Sequence, residues 1–388
     1  MGVIHLKVLA LTNEFEEESF GGAGTAATGM INMLDRCGVQ QTVIVPRSGW
    51  NAPMWVLRGQ QIKVLRLPRN SHYFGQLGMI KTDVVLHEFP ELSQNWDLIH
   101  SHAINFTPLA YTLSGGLIPI LYTVYSFLRN ELGDRPEPEL QAQFKIQEEL
   151  FMRCQRLQLI SQSERNYLAE RFPQFLYKTE ILPLGISMSD ERWQPTNAKE
   201  FLYVGRLSDY KGIEDLIKAM YLIRQSGRRI HLNIIGKGPD HYEAYLRKLV
   251  QSKMLGDSVK FHGWKPSLEV WQWMARAACL VIPSRREAYG FVALEGMAIG
   301  IPIIASRAGG LGELVSNSCA LTFEAGNVKD LLKTLMTALD NPSLLRALAV
   351  SGREQASKFE WRLLAPKYLT MFGANQASIE QRCQIYKN

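Results

Sequence analysis

The sequence predicts an α/β protein made of two similar halves, each a parallel sheet flanked by helices, and three observations lead there. Short β-branched and leucine-rich runs alternate with stretches of helical periodicity, which is the pattern of βαβ units. The second half of the chain begins the same plan again. Between the halves, residues 182–199 carry two prolines, polar residues and little periodicity, as a linker does.

In the first half the apolar runs at 7–11, 41–45, 98–100, 118–122 and 157–160 read as buried strands. In the second half the strands fall at 201–204, 231–235, 259–261, 278–282 and 301–305, with helices at 213–225 and 242–253 between them. A chain of 388 residues, 46% hydrophobic and 21% charged, holds two or three domains with their own cores, and this composition excludes disordered and fibrous classes.

The net charge of +6 is unevenly spread. Residues 1–188 hold 16 Lys/Arg against 18 Asp/Glu and residues 189–388 hold 27 against 19, so the halves carry −2 and +8. The excess is expected where an anionic ligand binds, and Arg206, Lys211, Arg285 and Arg286 all lie in the positive half. A small anionic ligand there explains the charge better than a nucleic acid does. The five cysteines are isolated, with no Cys-x-x-Cys, so neither a zinc ribbon nor a disulfide framework is indicated and a reducing cytosol is the simplest compartment. The apolar start at 3–11 contains His5 and Lys7 and runs into Asn13 and Glu14, which reads as a first strand and not a leader. The apolar stretch 113–125 carries Gly115, Gly116 and Pro119 and is too short to span a bilayer. A soluble or peripheral protein is expected.

Paired sheets of this kind use the carboxyl ends of their strands as the site, so chemistry is sought just after strands. After the strand ending near Pro283 comes Arg285-Arg286-Glu287-Ala288-Tyr289-Gly290-Phe291-Val292-Ala293-Leu294-Glu295. Glu287 and Glu295 stand eight positions apart, placed by helical spacing on one face of the helix that Gly290 opens. Free N–H groups at that helix start suit a phosphate or sugar oxygen, and carboxylates at its rim accept hydrogen bonds from sugar and ribose hydroxyls. The plainer reading is two acids decorating a helix start.

After strand 201–204 comes Gly205-Arg206-Leu207-Ser208-Asp209-Tyr210-Lys211-Gly212, which places two cations at a sheet's carboxyl edge. Fixed cations stabilise the charge that develops on a departing diphosphate. Arg206 offers a bidentate fork and Lys211 a mobile point charge. A solvated surface turn is the alternative. Metal is the usual competitor for this role, yet no two aspartates are separated by a single residue, so an Asp-x-Asp metal site is absent.

Phe20-Gly21-Gly22-Ala23-Gly24-Thr25 follows the first strand and an acidic loop and enters a helix at about Thr25; its glycines let backbone approach an anion. It does not match Gly-x-Gly-x-x-Gly directly after the strand, so a dinucleotide fingerprint fits poorly. His100 and His102 stand two apart at a strand end and point to the same side if the strand persists.

Together these residues resemble glycosyltransferase family 4, retaining, nucleotide-sugar-dependent enzymes of GT-B fold, in which two Rossmann-like domains face each other across a central cleft. The resemblance covers nearly the whole chain. Its motifs stand in order: the Gly21-Gly22-Ala23-Gly24 loop, His100-Ser101-His102, Leu182-Pro183-Leu184-Gly185, Gly205-Arg206 with Lys211-Gly212, Gly236-Lys237-Gly238-Pro239, His262-Gly263, and the Glu287/Glu295 pair followed by Gly309-Gly310-Leu311-Gly312. The resemblance implies that Arg206 and Lys211 bind the donor diphosphate, Glu295 the ribose, and Glu287 the transferred sugar. Backbone of Gly205, Gly290, Phe291 and Val292 would hold sugar and phosphate, Gly263 and Trp264 would lie near the base, and Gly21 and Gly22 would reach the diphosphate from the other domain. It further implies an acceptor-side domain at 1–186 with a C-terminal helix at about 372–388, introduced near Trp361, and a donor domain at 187–371.

Many family members carry Thr-x-His after the strand placed here at 118–122, with the histidine facing the donor sugar; this chain has Thr123-Val124-Tyr125. Tyr125 is no cation near neutrality, so His102 becomes the candidate substitute. The expected activity is transfer of a hexose, glucose first, from a UDP-sugar to a saccharide or lipid-linked saccharide, without metal or other cofactor. An epimerase of the same architecture and a non-catalytic nucleotide-sugar binder are the alternatives. Residues 36–82 hold no acid and seven bases, with Trp50, Trp55 and Tyr73 among them, which suits an anionic membrane surface or lipid diphosphate, or else a solvated loop face.

Overall fold

The apolar runs pair into two separate sheets in the computed structural model, which describes residues 6–16, 19, 21–133, 135–194, 199–375 and 379. One unit takes the chain up to Gly185 and resumes at Trp361; the other is Ile186–Glu360. Residues 376–378 and 380–388, most of the expected C-terminal helix, lie outside the described residues.

In the first unit the strands are β1 (Lys7–Leu11), β2 (Gln40–Arg47), β3 (Met54–Arg58), β4 (Ile62–Pro68), β5 (Leu98–Ser101), β6 (Ile120–Val124), β7 (Arg156–Leu159) and β8 (Thr179–Ile181). Among the described residues they form one sheet in the order β3-β4-β2-β1-β5-β6-β7-β8, parallel except where β3 runs back along β4. Its central strands are buried on both faces, as parallel strands under helices must be. One face packs Leu9, Ile99 and Tyr122 with Phe106, Phe127 and Phe151; the other packs Ala10, Val43 and Val64 with Phe15 and Ile31 of the helix Gly22–Arg36. Each Leu, Ile, Val or Phe among them contributes about 1.5–3 kcal/mol by leaving water.

Two differences from the sequence reading have clear causes. Residues 54–68 are not a solvated loop face but the β3–β4 hairpin. Lys63 and Arg66 broke the apolar pattern there, yet Arg66 is buried because Glu16 meets its charge at 2.8 Å. The strand expected at 118–122 runs from Ile120 to Val124, since Pro119 has no N–H for the ladder, and this brings Thr123 inside the sheet.

That threonine belongs to a buried polar seam across β5, β6 and β7. His100 Nε2 lies 2.7 Å from Thr123 Oγ1, Thr123 Oγ1 donates to Gln158 Oε1 at 2.8 Å, and Gln158 Nε2 donates both to Leu182 O at 3.0 Å and to Tyr368 Oη at 2.7 Å. Tyr368 then donates to Pro183 O at 3.0 Å. The directions are forced: an amide nitrogen only donates, so Gln158 Oε1 takes the threonine proton and Thr123 accepts the proton of His100 Nε2. Burial holds the His100 pKa well below its ordinary value, so the ring is neutral with that single proton. The seam ties Leu182 and Pro183 and the helix Trp361–Met371, which returns the chain to this unit, to the sheet. Trp361 packs so closely that a Cβ on Gly185 would lie 2.4 Å from its ring.

The second unit holds β9 (Glu200–Val204), β10 (His231–Ile235), β11 (Val259–Phe261), β12 (Cys279–Ile282), β13 (Ile303–Ser306) and β14 (Leu321–Phe323), all parallel in the order β11-β10-β9-β12-β13-β14. The chain winds outward from β9 on one side and then from β12 on the other, so the order reverses between these two strands. The expected strands at 231–235 and 259–261 and the helix Ile213–Gln225 occur with those bounds.

The seam makes one prediction. Gln158→Leu keeps the volume but removes its central donor and acceptor, and should cost roughly 2–4 kcal/mol. Urea unfolding at matched far-UV circular dichroism checks this; an unchanged midpoint would show that the seam adds nothing.

Candidate functional site

The reversal between β9 and β12 sets the loops after these strands side by side. The backbone N–H groups of Arg285 and Arg286 donate to Tyr210 O at 2.8 and 3.3 Å. Gly212 makes the closest approach: its φ is +69°, and a Cβ there would sit 1.9 Å from Pro283 O, so residue 212 can only be glycine. Held in this way, Lys211 Nζ lies 2.8 Å from Glu287 Oε2. Ser284 Oγ donates to the same oxygen at 2.9 Å. Among the described residues both hydrogen bonds to this carboxylate fall on Oε2, which leaves Oε1 for a ligand. The pair is half-sheltered, 16% and 15% exposed, so it is partly desolvated and still reachable.

Arg206 is exposed, with its guanidinium 5.7 Å from the centre of the Tyr210 ring; Lys211 lies 5.4 Å from the same ring. The two cations named from the sequence thus flank one aromatic side chain. Arg285 is different. Its guanidinium is taken up by Asp215 in two hydrogen bonds of 2.8 Å, with Glu214 at 3.8 Å, so it does not add free positive charge to this edge. These carboxylates raise its pKa further.

Gly290, with φ +92°, caps the helix Phe291–Ile299, which brings the N–H ends of Phe291 and Val292 to the same edge. Two expectations need correcting. Glu287 lies three residues before that cap, so it and Glu295 do not share a helix face. Glu295 is 8% exposed and not a rim residue, because this helix is buried nearly all round. Burial pushes its carboxyl up to about 7, with the nearby Trp271 side chain acting the other way. At the ends of β9, β10 and β11, Gly205 N donates to Ile235 O and Gly236 N to Gly263 O, which gathers Gly205 and Gly263 through the turn after β10. Trp264, 38% exposed, follows.

In the first unit, Gly21 caps the helix that begins at Gly22, three residues earlier than expected; Phe20 lies outside the described residues. His102 and Tyr125 follow β5 and β6 and meet: His102 Nδ1 lies 2.8 Å from Tyr125 Oη. The His100 and His102 rings are 3.8 Å apart, on the same side as their spacing required. Burial lowers the His102 pKa to about 3, so the side chain is a neutral hydrogen-bonding group and no cation. Burial likewise raises the Tyr125 phenol.

Sequence reasoning missed Ser284 and the Arg285–Asp215 pair. The position of Ser284 directly after a strand and three residues before Glu287 was the available signal. Among the described residues no three His, Cys, Asp or Glu side chains converge as metal ligands.

Comparison with known proteins bears on the family and the fold. The family model described as Glycosyltransferase Family 4 matches residues 20–190, and that described as Glycosyl transferases group 1 matches residues 188–355. An uncharacterised glycosyltransferase of Methanocaldococcus jannaschii is 34% identical over 161 residues, 41% of this chain and 44% of that protein, so the chain spans less than half of that relative's length. Sucrose-phosphate synthase from Thermosynechococcus elongatus superposes with a TM-score of 0.77 at 21% identity, covering 95% of this chain and 98% of that one. Anabaena HepE in complex with UDP-glucose does so with a TM-score of 0.72 at 18% identity, covering 95% and 99%. With the two family models together spanning residues 20–355 and the architecture shared with these structures, the chain belongs to the group 1 glycosyltransferases of the family 4 type and has their GT-B fold.

Proposed function

We propose that the protein is a retaining glycosyltransferase that moves a hexose, glucose first, from a UDP-sugar to a saccharide or lipid-linked saccharide in polysaccharide or glycoconjugate synthesis, with no metal. The observation that carries this is the Lys211–Glu287 pair at the strand-order reversal, beside Arg206 and the helix start at Gly290. The UDP-glucose complex of HepE supports the choice of donor.

In this reading the bond between the anomeric carbon and the diphosphate oxygen breaks, and the acceptor hydroxyl forms its bond on the same face. The acceptor proton passes to the departing phosphate oxygen, so no protein nucleophile is needed. Lys211, Arg206 and the N–H groups following Gly290 stabilise the charge growing on that phosphate more than the charge of the intact donor. Glu287 Oε1 accepts from a sugar hydroxyl while Oε2 stays on Lys211, and Glu295 accepts from the ribose. Gly263 and Trp264 border the base. The protein works in the cytosol.

Glu287→Gln and Lys211→Ala should each lower kcat by about 10²–10³-fold with the unfolding transition retained. Transfer should survive EDTA, and the product should keep the donor's anomeric configuration by NMR. Near wild-type turnover in both variants would sink the assignment, and an epimerised free sugar formed without acceptor would replace it.

Glu295 adds a pH dependence. Its folded pKa of about 7 lies above the ordinary value of 4.5, so between these the folded protein holds a proton that the unfolded chain has released. Stability from this group is present at low pH and falls as pH rises through that window. Ribose binding needs the carboxylate, so the donor KM should drop over the same rise. Glu295→Gln should flatten the stability slope in thermal scans from pH 5 to pH 8; an unchanged slope counts against the assignment.

Peripheral contact with an anionic membrane is the second part of the reading. Support comes from the acid-free stretch, which forms the sheet edge at β3 with Trp55 and Leu57 exposed and Lys63 beside them. No helix of the described residues is long and apolar enough to cross a membrane. Vesicles containing anionic lipid should sediment the protein at low salt and release it at 0.5 M salt, with Trp55→Ser together with Leu57→Ser weakening binding several-fold. Equal sedimentation with neutral vesicles would argue against it.

A further inference from the structure

We infer that Tyr125 is a positioning residue that fixes His102 with its proton on Nε2, and that this N–H is donated to a hydroxyl oxygen of the bound saccharide. The inference rests on the transferase reading above and names how this chain manages without the histidine of Thr-x-His.

The neutral imidazole of His102 carries one proton for two nitrogens. Tyr125 keeps its phenolic proton, since burial and the nearby Glu14 charge both oppose losing it. Among the described residues the phenol has no hydrogen-bond partner other than His102 Nδ1, at 2.8 Å, so the phenol donates and Nδ1 accepts. The ring proton is then on Nε2. That atom is buried and makes no hydrogen bond among the described residues. A buried N–H without a partner is costly, so natural folds seldom keep one to no purpose. Its position adds the second argument. His102 follows β5, and its backbone N–H donates to Leu11 O at the end of β1, at 2.8 Å. Strand order reverses between β1 and β5, which is where open α/β sheets bind ligands. The neighbouring His100 cannot share the role, because its own Nε2 proton is used by Thr123. A neutral N–H suits an uncharged hydroxyl oxygen, whose lone pair it meets without burying a charge.

Two-bond proton–nitrogen correlation spectra of the histidine-labelled protein read the tautomer directly. Wild type should show His102 protonated at Nε2 and bare at Nδ1, and Tyr125→Phe should lose that preference. With UDP-glucose and an accepting saccharide, His102→Leu should lower kcat about 10²-fold. His102→Gln, whose amide also carries an N–H, should recover at least about tenfold of this loss. Protonation at Nδ1 in wild type overturns the inference. So does wild-type kcat and KM in His102→Leu when Glu287→Gln has lost transfer, an outcome that leaves the transferase reading standing. No transfer by wild type with any donor removes that reading and the saccharide role of His102 with it, while the tautomer is measured all the same.

Discussion

The close approach at Gly212 governs the second unit. A parallel sheet that reverses its strand order sets two loops beside each other, but only a residue without a side chain lets them touch where a Cβ would stand 1.9 Å from Pro283 O. Once they touch, Tyr210 O takes two N–H groups from the opposite loop, and Lys211 and Glu287 come within 2.8 Å although 76 positions separate them in sequence. The charge pair is thus a consequence of backbone packing.

The first unit is organised by neutral polar groups. His100, Thr123, Gln158 and Tyr368 are all buried and hydrogen-bonded. A seam with every member satisfied rigidifies its strands, whereas a charge at the same depth would need a partner to offset desolvation. Where a cation is buried here, a partner is present: Arg66 has Glu16, and Lys178 donates to the carbonyls of Phe151, Met152 and Cys154 at the end of the helix Pro138–Arg153.

Much of this was legible in the sequence, for reasons that differ by element. Strands such as 231–235 were plain because burial on both faces leaves a short, mostly apolar run, and the helix Ile213–Gln225 because burial on one face writes its period into the residues. The hairpin at 54–68 was not, because the ion pair that lets Arg66 enter the core joins residues 50 apart. The candidate site was legible as motifs after strands, so Lys211, Glu287 and Gly290 were named from the sequence. Their relations were not: helical spacing suggested a shared face for Glu287 and Glu295, and the left-handed turn at Gly290 ends that argument three residues too late for Glu287.

Net charge shows the same limit from another side. The +8 of the second half is a sum that does not say which cations already face a carboxylate: Arg285 meets Asp215 and Glu214, and Lys211 meets Glu287. What a ligand meets is the field left after such pairing. Asp215 sits in the first turn of the helix Ile213–Gln225 and is itself buried, so its need for a partner fixes Arg285 there whatever the ligand does. Arg206 and Lys211 share the Tyr210 ring, and Glu287 meets the Lys211 charge at 2.8 Å.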